Sequence, residues 1–218
     1  MSVALDPFYP VVDDANWVAR VVGAGAKLVQ LRMKDADGAG IRAGISRARE
    51  ICAKSGALLV VNDFWQDAID LRCTCVHLGQ GDLDTADVSA LRRAGIKLGL
   101  STHDHAELDR ALSFEPDYVA LGPIYPTLLK QMPWAPQGLD RIGEWKKLIG
   151  ARPLVAIGGL TLDRIPGVLA AGADSVAVVT DIVRADEPEA RTREWVAVTR
   201  QRPSGDASKS ASSAATSS

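Results

Sequence analysis

Eight short apolar runs recur along the chain: FYPVV (8–12), KLVQLR (27–32), ALLVVN (57–62), CVHLG (75–79), IKLGLS (96–101), YVALG (118–122), PLVAIG (153–158) and SVAVVT (175–180). Each is five or six residues long, rich in Val, Leu or Ile, and bounded by Gly, Asn, Asp or Pro. Runs that are apolar throughout, rather than alternating, predict strands buried on both faces, as in a parallel sheet. Between them the apolar period lengthens to that of a helix. Gly40–Lys54 carries Ile41, Ile45, Ala48 and Cys52 on one face. Similar spacing predicts helices over Thr85–Ala94, Asp104–Ser113, Gly138–Ile149, Leu162–Ala171 and Pro188–Arg200. Asp13 or Asp14 is placed to cap the first helix, Asp104 a later one and Thr161 the one that follows Gly158-Gly159. Gly-Ala-Gly-Ala (23–26), Ala-Gly-Ile (94–96) and Ala-Gly-Ala-Asp (171–174) read as helix stops.

Eight strand–helix units in about 200 residues predict an α/β fold, a single (β/α)8 TIM barrel at the compact end of its size range. A doubly wound open sheet is the alternative, but PVVDDANW follows the first strand where that fold carries a glycine fingerprint. The barrel is expected over residues 1–202. Residues 203–218, PSGDASKSASSAATSS, are Ser/Ala-rich without core-forming side chains and are expected to be a disordered tail.

Composition narrows the function without naming it. The 218 residues carry a formal net charge of -2, which leaves no global basic footprint for nucleic acid. No apolar run approaches the ~18 residues of a membrane helix. The start MSVALDPFYPVVDD has no basic segment followed by an apolar one, so a cytoplasmic protein is expected. Cys52, Cys73 and Cys75 are an odd count with no zinc-knuckle spacing and are expected to be buried small side chains.

In a barrel the chemistry sits at the C-terminal ends of the strands. The second run ends in Gln30, Arg32 and Lys34, whose alternation predicts a shared strand face. The third ends in Asn62-Asp63, the fourth in Gly79-Gln80-Gly81-Asp82 and the fifth in Ser101-Thr102-His103. The sixth leads into Gly122-Pro123 and Tyr125-Pro126-Thr127, the seventh into Gly158-Gly159, and the eighth ends in Val179-Thr180. Asp63 and Asp82, from adjacent strand ends, suit a hard cation such as Mg²⁺ completed by water and phosphate. Arg32, Lys34 and Lys130 supply positive charge for phosphates. The glycine pair lies where barrels of this kind hold a phosphate.

Each residue also has a plainer reading. A single Asp at a strand end is commonly a cap, and a Gly-Gly often just ends a strand. His103 and His105 read as surface residues at a helix start, and His77, inside a strand, as a satisfied core residue. Met33 and Trp134 have no assignable role. Only the joint placement favours a site.

Six segments in order resemble the thiamine phosphate synthase family: Gln30-Leu31-Arg32-Met33-Lys34, Val61-Asn62-Asp63, His77 to Asp82, Gly99 to His103, Gly122 to Thr127, and Ala156-Ile157-Gly158-Gly159. The resemblance runs from the first strand to the last helix and implies a Mg²⁺-dependent enzyme on a TIM barrel. The implied reaction joins 4-amino-5-hydroxymethyl-2-methylpyrimidine diphosphate to a thiazole phosphate, or its carboxylated form, with release of pyrophosphate. By motif position, Gln30, Arg32, Lys34 and Asn62 would hold the pyrimidine diphosphate, and Asp63 and Asp82 the metal. Ser101 would contact the pyrimidine and Lys130 the departing pyrophosphate. Thr127, Leu129, Gly159, Val179 and Thr180 would surround the thiazole phosphate. Arg32, Lys34, Lys130 and Ser101 would form the catalytic group.

The implied chemistry is a dissociative substitution that needs charge stabilisation and positioning more than acid–base groups. The implied partners are small molecules, with no nucleic acid or membrane; association with further copies of the chain is left open. One departure stands out. The family reads Thr-x-Thr-Lys where this chain has Thr127-Leu128-Leu129-Lys130. Loss of a hydroxyl hydrogen bond to a charged group costs ~1.5–3 kcal/mol. The weighed alternatives are a thiazole tautomerase, a non-catalytic protein binding thiamine precursors, and an unrelated phosphate-binding isomerase. The carboxylate pair and Lys34 argue against the first two. The lack of a general base at the sixth and seventh strand ends argues against the third.

Overall fold

The computed structural model describes residues 5–34, 37–127 and 135–201. Eight parallel strands close into one barrel in sequence order: β1 Phe8–Val12, β2 Leu28–Leu31, β3 Leu58–Asn62, β4 Cys75–Leu78, β5 Lys97–Thr102, β6 Tyr118–Leu121, β7 Leu154–Ile157 and β8 Ser175–Val178. β8 returns to β1 through the pairs Phe8–Val176 and Tyr9–Ala177, so no strand edge is left open. Helices α1 Ala15–Gly23, α2 Gly38–Ser55, α3 Trp65–Asp70, α4 Val88–Arg93, α5 His105–Ser113, α6 Gly138–Ile149, α7 Ile165–Ala170, α8 Thr180–Val183 and α9 Pro188–Arg200 surround it. The single (β/α)8 barrel expected from the alternation is the fold observed.

The strand alternation divides the core in two. One set of side chains points outward to the helices: Phe8, Val29, Leu31, Val61, Val76, Leu100, Val119 and Ala156 meet Val18, Ile45, Leu91, Leu108, Ile142 and Trp195. The other set fills the barrel: Tyr9, Val11, Leu28, Val60, Cys75, Tyr118, Ala120, Val155 and Ala177. Gln30, Asn62 and His77 fall in the second register, whereas Thr102 faces the helices and accepts from Trp145 Nε1. Gln30 is two residues from Leu28, Asn62 two from Val60, and His77 two from Cys75. The period of two therefore carries these polar groups up the inside of the barrel to its C-terminal mouth.

Local chemistry sets the helix limits. Asp14, Asp37, Asp87 and Asp104 each accept the backbone N–H three residues on and open α1, α2, α4 and α5. Gly56, at φ 66°, closes α2 in the left-handed conformation. Of the two candidates for the first cap, Asp14 serves. Thr161 does not cap: its hydroxyl bonds to Asp163 Oδ1 at 2.6 Å, and a short 3₁₀ turn, Leu162–Arg164, precedes α7. The helix expected over Thr85–Ala94 is shorter, α4 running only Val88–Arg93, with a 3₁₀ turn at Asp82–Asp84 ahead of it. Two helices without a clear apolar period, α3 and α8, escaped the pattern; six and four residues are too few to show one.

The second and eighth strands are shorter than their apolar runs. β2 ends at Leu31 and β8 at Val178. Only Gln30 of the Gln30, Arg32, Lys34 series is therefore on a strand face. Arg32 continues the ladder with one bond, its N–H donating to Val12 O at 2.7 Å, and Lys34 is exposed beyond it. Met33 is buried, with its sulfur against Gly44 of α2. All three cysteines are free and buried. No helix among the described residues is long and apolar enough to cross a membrane. The expected tail at 203–218 lies outside the described residues, as do Trp134, Leu129 and Lys130.

Candidate active site

The mouth of the barrel has two sides. On the β3–β4 side Asp63 and Asp82 meet. Asp63 follows β3 with φ 65°, a left-handed conformation uncommon for a residue with a side chain. Its N–H donates to His77 O at 3.0 Å, which extends the β3–β4 ladder by one residue and locks the turn. Asp82 is held by the Gly79 N–H, which donates to its Oδ2 at 2.8 Å. Burial, and next the charge and contact of Asp82, push the Asp63 carboxyl up to about 6. Arg32 opposes the rise, so its guanidinium is near the pair.

Asn62, 4% exposed, lies against Asp63 and opposes the rise of its carboxyl, although its Nδ2 makes no bond of good hydrogen-bond geometry among the described residues. A buried amide donor with only this imperfect contact is costly, and a ligand oxygen would satisfy it. Two carboxylates in contact, one resisting ionisation, could hold a divalent cation between them. Among the described residues no group of three or more His, Cys, Asp or Glu gathers, so the remaining ligands would have to be water or substrate oxygens.

On the β6–β8 side the site is made of backbone. The loops after β6 and β7 lie against each other: Ile124 N–H donates to Ile157 O and Tyr125 N–H to Gly158 O, both at 3.0 Å. The Gly122–Pro123 peptide is cis. Gly158 and Gly159 have φ of 99° and 65°. A β-carbon at Gly159 would stand 2.5 Å from Pro126 O, and one at Gly158 2.7 Å from Pro123 Cα. Both conformation and room require glycine here.

A cavity of about 530 Å³ opens over this corner, within the range of small-molecule sites. Thr127, Gly159, Val179 and Thr180 line it, with His103, Arg164, Arg184 and Arg191. Arg164 stacks over Tyr125, 4.3 Å from the ring centroid, and donates to Gly159 O, so it braces the glycine turn.

Between the two sides stands Ser101, half-buried at the end of β5, its Oγ 2.8 Å from His77 Nε2. His77 Nδ1 lies 2.9 Å from the Tyr118 hydroxyl. Burial, with Arg32 adding to it, lowers the His77 pKa to about 4, so the ring is neutral near pH 7. His77 is thus a satisfied buried histidine, as its strand position predicts, but it also touches a site residue. His103 is not the surface residue expected: its ring is 17% exposed, bonds Glu107 Oε2 at 2.7 Å and lines the cavity. His105 is exposed and pairs with Glu144.

The mouth therefore gathers Arg32, Asn62, Asp63 and Asp82 on one side and Thr127, Gly159, Val179 and Thr180 on the other, with Ser101 between them and Gln30 buried in the barrel on Tyr9. Lys34 stands exposed at the rim. Arg164 and Arg184 were not among the expected site residues. Arg164 sits five residues after Gly159, a spacing that carries no motif.

A family model described as thiamine monophosphate synthase matches residues 8–182. The chain belongs to the thiamine monophosphate synthase family. A thiamine-phosphate synthase of Rhizobium etli is 58% identical over 195 residues, covering 89% of this chain and 96% of that one. One of Neisseria meningitidis serogroup B is 49% identical over 191 residues, covering 88% and 93%. Among solved structures, a thiamine phosphate pyrophosphorylase from Pyrococcus furiosus superposes with a TM-score of 0.79 at 24% identity, covering 88% of this chain and 94% of that one. A 3-hexulose-6-phosphate synthase shares the barrel with a TM-score of 0.65 at 14% identity. The family's barrel thus accounts for nearly all the described residues.

Proposed function

We propose that this member of the family makes thiamine phosphate by Mg²⁺-assisted dissociative substitution, with the two sides of the mouth holding its two substrates. Family membership makes the chain a thiamine-phosphate synthase and so a transferase; the metal, the residue roles and the order of bond changes are the proposal.

The contact between Asp63 and Asp82 carries this reading, because the pair would seat a cation beside Arg32 and the Asn62 amide. Mg²⁺ bound there would neutralise the diphosphate leaving group. Gln30, Arg32, Lys34 and Asn62 hold the pyrimidine diphosphate, and Lys130 follows the departing pyrophosphate. Ser101 contacts the pyrimidine ring. Thr127, Gly159, Val179 and Thr180 hold the thiazole phosphate, in its simple or carboxylated form. The bond from the methylene carbon to the diphosphate oxygen breaks with both electrons leaving on oxygen. The thiazole nitrogen then donates its lone pair to that carbon. With the simple thiazole phosphate no proton moves in either step, so the site works through charge and alignment; the carboxylated form would in addition lose its carboxylate as CO2 and take up a proton.

Phosphate and diphosphate esters do not cross membranes unaided, which favours a cytoplasmic enzyme. The partners are small molecules; a homo-oligomer is compatible with this reading and not required by it.

Purified protein given both substrates and Mg²⁺ is expected to release thiamine phosphate and pyrophosphate, read by chromatography. Absence of product at saturating thiazole phosphate would sink the reading. Asp63→Ala is expected to lose the activity together with its Mg²⁺ dependence; a fully active variant would overturn the metal seat.

A further inference from the structure

A single chain of hydrogen bonds runs through the barrel interior and joins residues of five strands, β1, β2, β4, β5 and β6. Gln30 Nε2 donates to the Tyr9 oxygen at 2.9 Å. The Tyr9 and Tyr118 oxygens are 2.9 Å apart. Tyr118 Oη is 2.9 Å from His77 Nδ1, and His77 Nε2 is 2.8 Å from Ser101 Oγ. Gln30, Tyr9, Tyr118 and His77 are all at most 7% exposed, so water does not compete for these bonds.

We propose that this chain sets the polarity of the Ser101 hydroxyl, so that Ser101 offers its hydrogen, and not its lone pairs, to a ring-nitrogen acceptor of the bound substrate.

The direction follows from counting protons. An amide nitrogen can only donate, and each hydroxyl and each neutral imidazole has one hydrogen to give. Tyr9 accepts from Gln30, so its own hydrogen goes to Tyr118. Tyr118 accepts it and gives its hydrogen to His77 Nδ1. An Nδ1 that accepts carries no proton, so the neutral ring holds its proton on Nε2 and donates it to Ser101 Oγ. The one hydrogen of Ser101 is then left for the ligand. With the Gln30 amide reversed every bond would reverse, and Ser101 would spend its hydrogen on His77.

The surroundings are shaped for this chain. A β-carbon at Gly99 would lie 2.0 Å from the Tyr118 ring, so β5 carries glycine where that ring enters the barrel. His77 stacks on the same ring with centroids 5.6 Å apart, which fixes its plane. Tyr118 and His77 are thus positioning residues, and Ser101 is the group that meets the substrate. The inference rests on the proposed placement of the pyrimidine at Ser101.

Two measurements test it. The first is two-bond ¹⁵N–¹H correlation on uniformly labelled, substrate-free protein, with the His77 signals assigned by their loss in His77→Gln. The Nε2–H tautomer is expected; the Nδ1–H tautomer overturns the proposal. The second is Tyr118→Phe, which keeps the ring and removes the hydroxyl. His77 is expected to become a mixture of tautomers. KM for the pyrimidine diphosphate is expected to rise about tenfold, the worth of one buried hydrogen bond, while KM for the thiazole phosphate stays constant. An unchanged tautomer with unchanged KM overturns the proposal. If Tyr118→Phe does not fold, Gln30→Glu replaces the donor with an acceptor, and its His77 signals are expected to move to Nδ1–H; retention of Nε2–H overturns the proposal. The tautomer is read without turnover, so failure of the synthase reading alone would leave the NMR result intact.

Discussion

On the β2–β4 side of the mouth a ligand meets charged and amide side chains: Arg32, Asn62, Asp63 and Asp82. On the β6–β8 side it meets a turn of glycine backbone, braced from behind by Arg164. The first side can hold a cation and a flexible diphosphate, because side chains carry full charges and can adjust their reach. The second suits a compact phosphate, because a glycine turn brings the backbone close with its geometry already set. The cost is paid differently too. The carboxylate pair stores repulsion, seen in the raised Asp63. The glycine corner stores conformation, in two positive φ angles and β-carbon positions that have no space.

The sharpest way to break this contrast is Gly159→Ala. Its methyl would meet Pro126 O in a backbone conformation that alanine resists. A loss of about 100-fold in kcat/KM for the thiazole phosphate is expected, with pyrimidine diphosphate binding retained by calorimetry. Equal loss on both substrates would show that the two sides are not separate. A smaller effect is expected for Arg164→Met, which removes the brace on Gly159 O and the stacking on Tyr125. KM for the thiazole phosphate should rise about tenfold, with that for the diphosphate constant. Steady-state kinetics with each substrate varied in turn would show it.

The smallest effect sharpens the other side. Asp63 is raised from 3.8 to about 6, so the fold favours its neutral form. Its contribution to stability is present below pH 4 and is lost as pH rises through 6. Asp63→Asn should therefore raise metal-free stability at pH 7, by about 1 kcal/mol once solvent screening of this partly exposed group is allowed for. The gain should vanish near pH 4. Added Mg²⁺ should raise the Tm of the parent protein and not that of the variant. Thermal unfolding at the two pH values, with and without Mg²⁺, checks all three points.

The two sides also differ in how readable they were. Asp63 and Asp82 could be paired from the chain alone, because adjacent parallel strands put adjacent strand ends together. The glycine pair was visible as a motif, but its reason was not: the clash with Pro126 comes from a loop more than thirty residues earlier in the chain. Arg164 left no signal, since a lone basic residue five positions after a glycine pair matches no motif. His103 was misplaced because its burial depends on Glu107 and on the cavity, neither of which a period of hydrophobicity records. The face shared by Gln30, Arg32 and Lys34 was overdrawn, because β2 stops at Leu31.

What the sequence by itself determined is the barrel and the side on which its chemistry lies. Eight apolar runs with helical segments between them admit few other closed packings, and strand polarity then sends the polar residues to one mouth. What only the tertiary structure decided is which groups touch. Tyr9 and Tyr118 are more than a hundred residues apart, and in sequence they are two aromatic residues in apolar strands. Closing β8 against β1 brings both rings into one interior, too narrow and too dry for their hydroxyls to bond to anything but each other and their neighbours. Burial without water turns those unremarkable residues into a directed chain ending at Ser101, because a polar atom in such a place must find its partner within the protein.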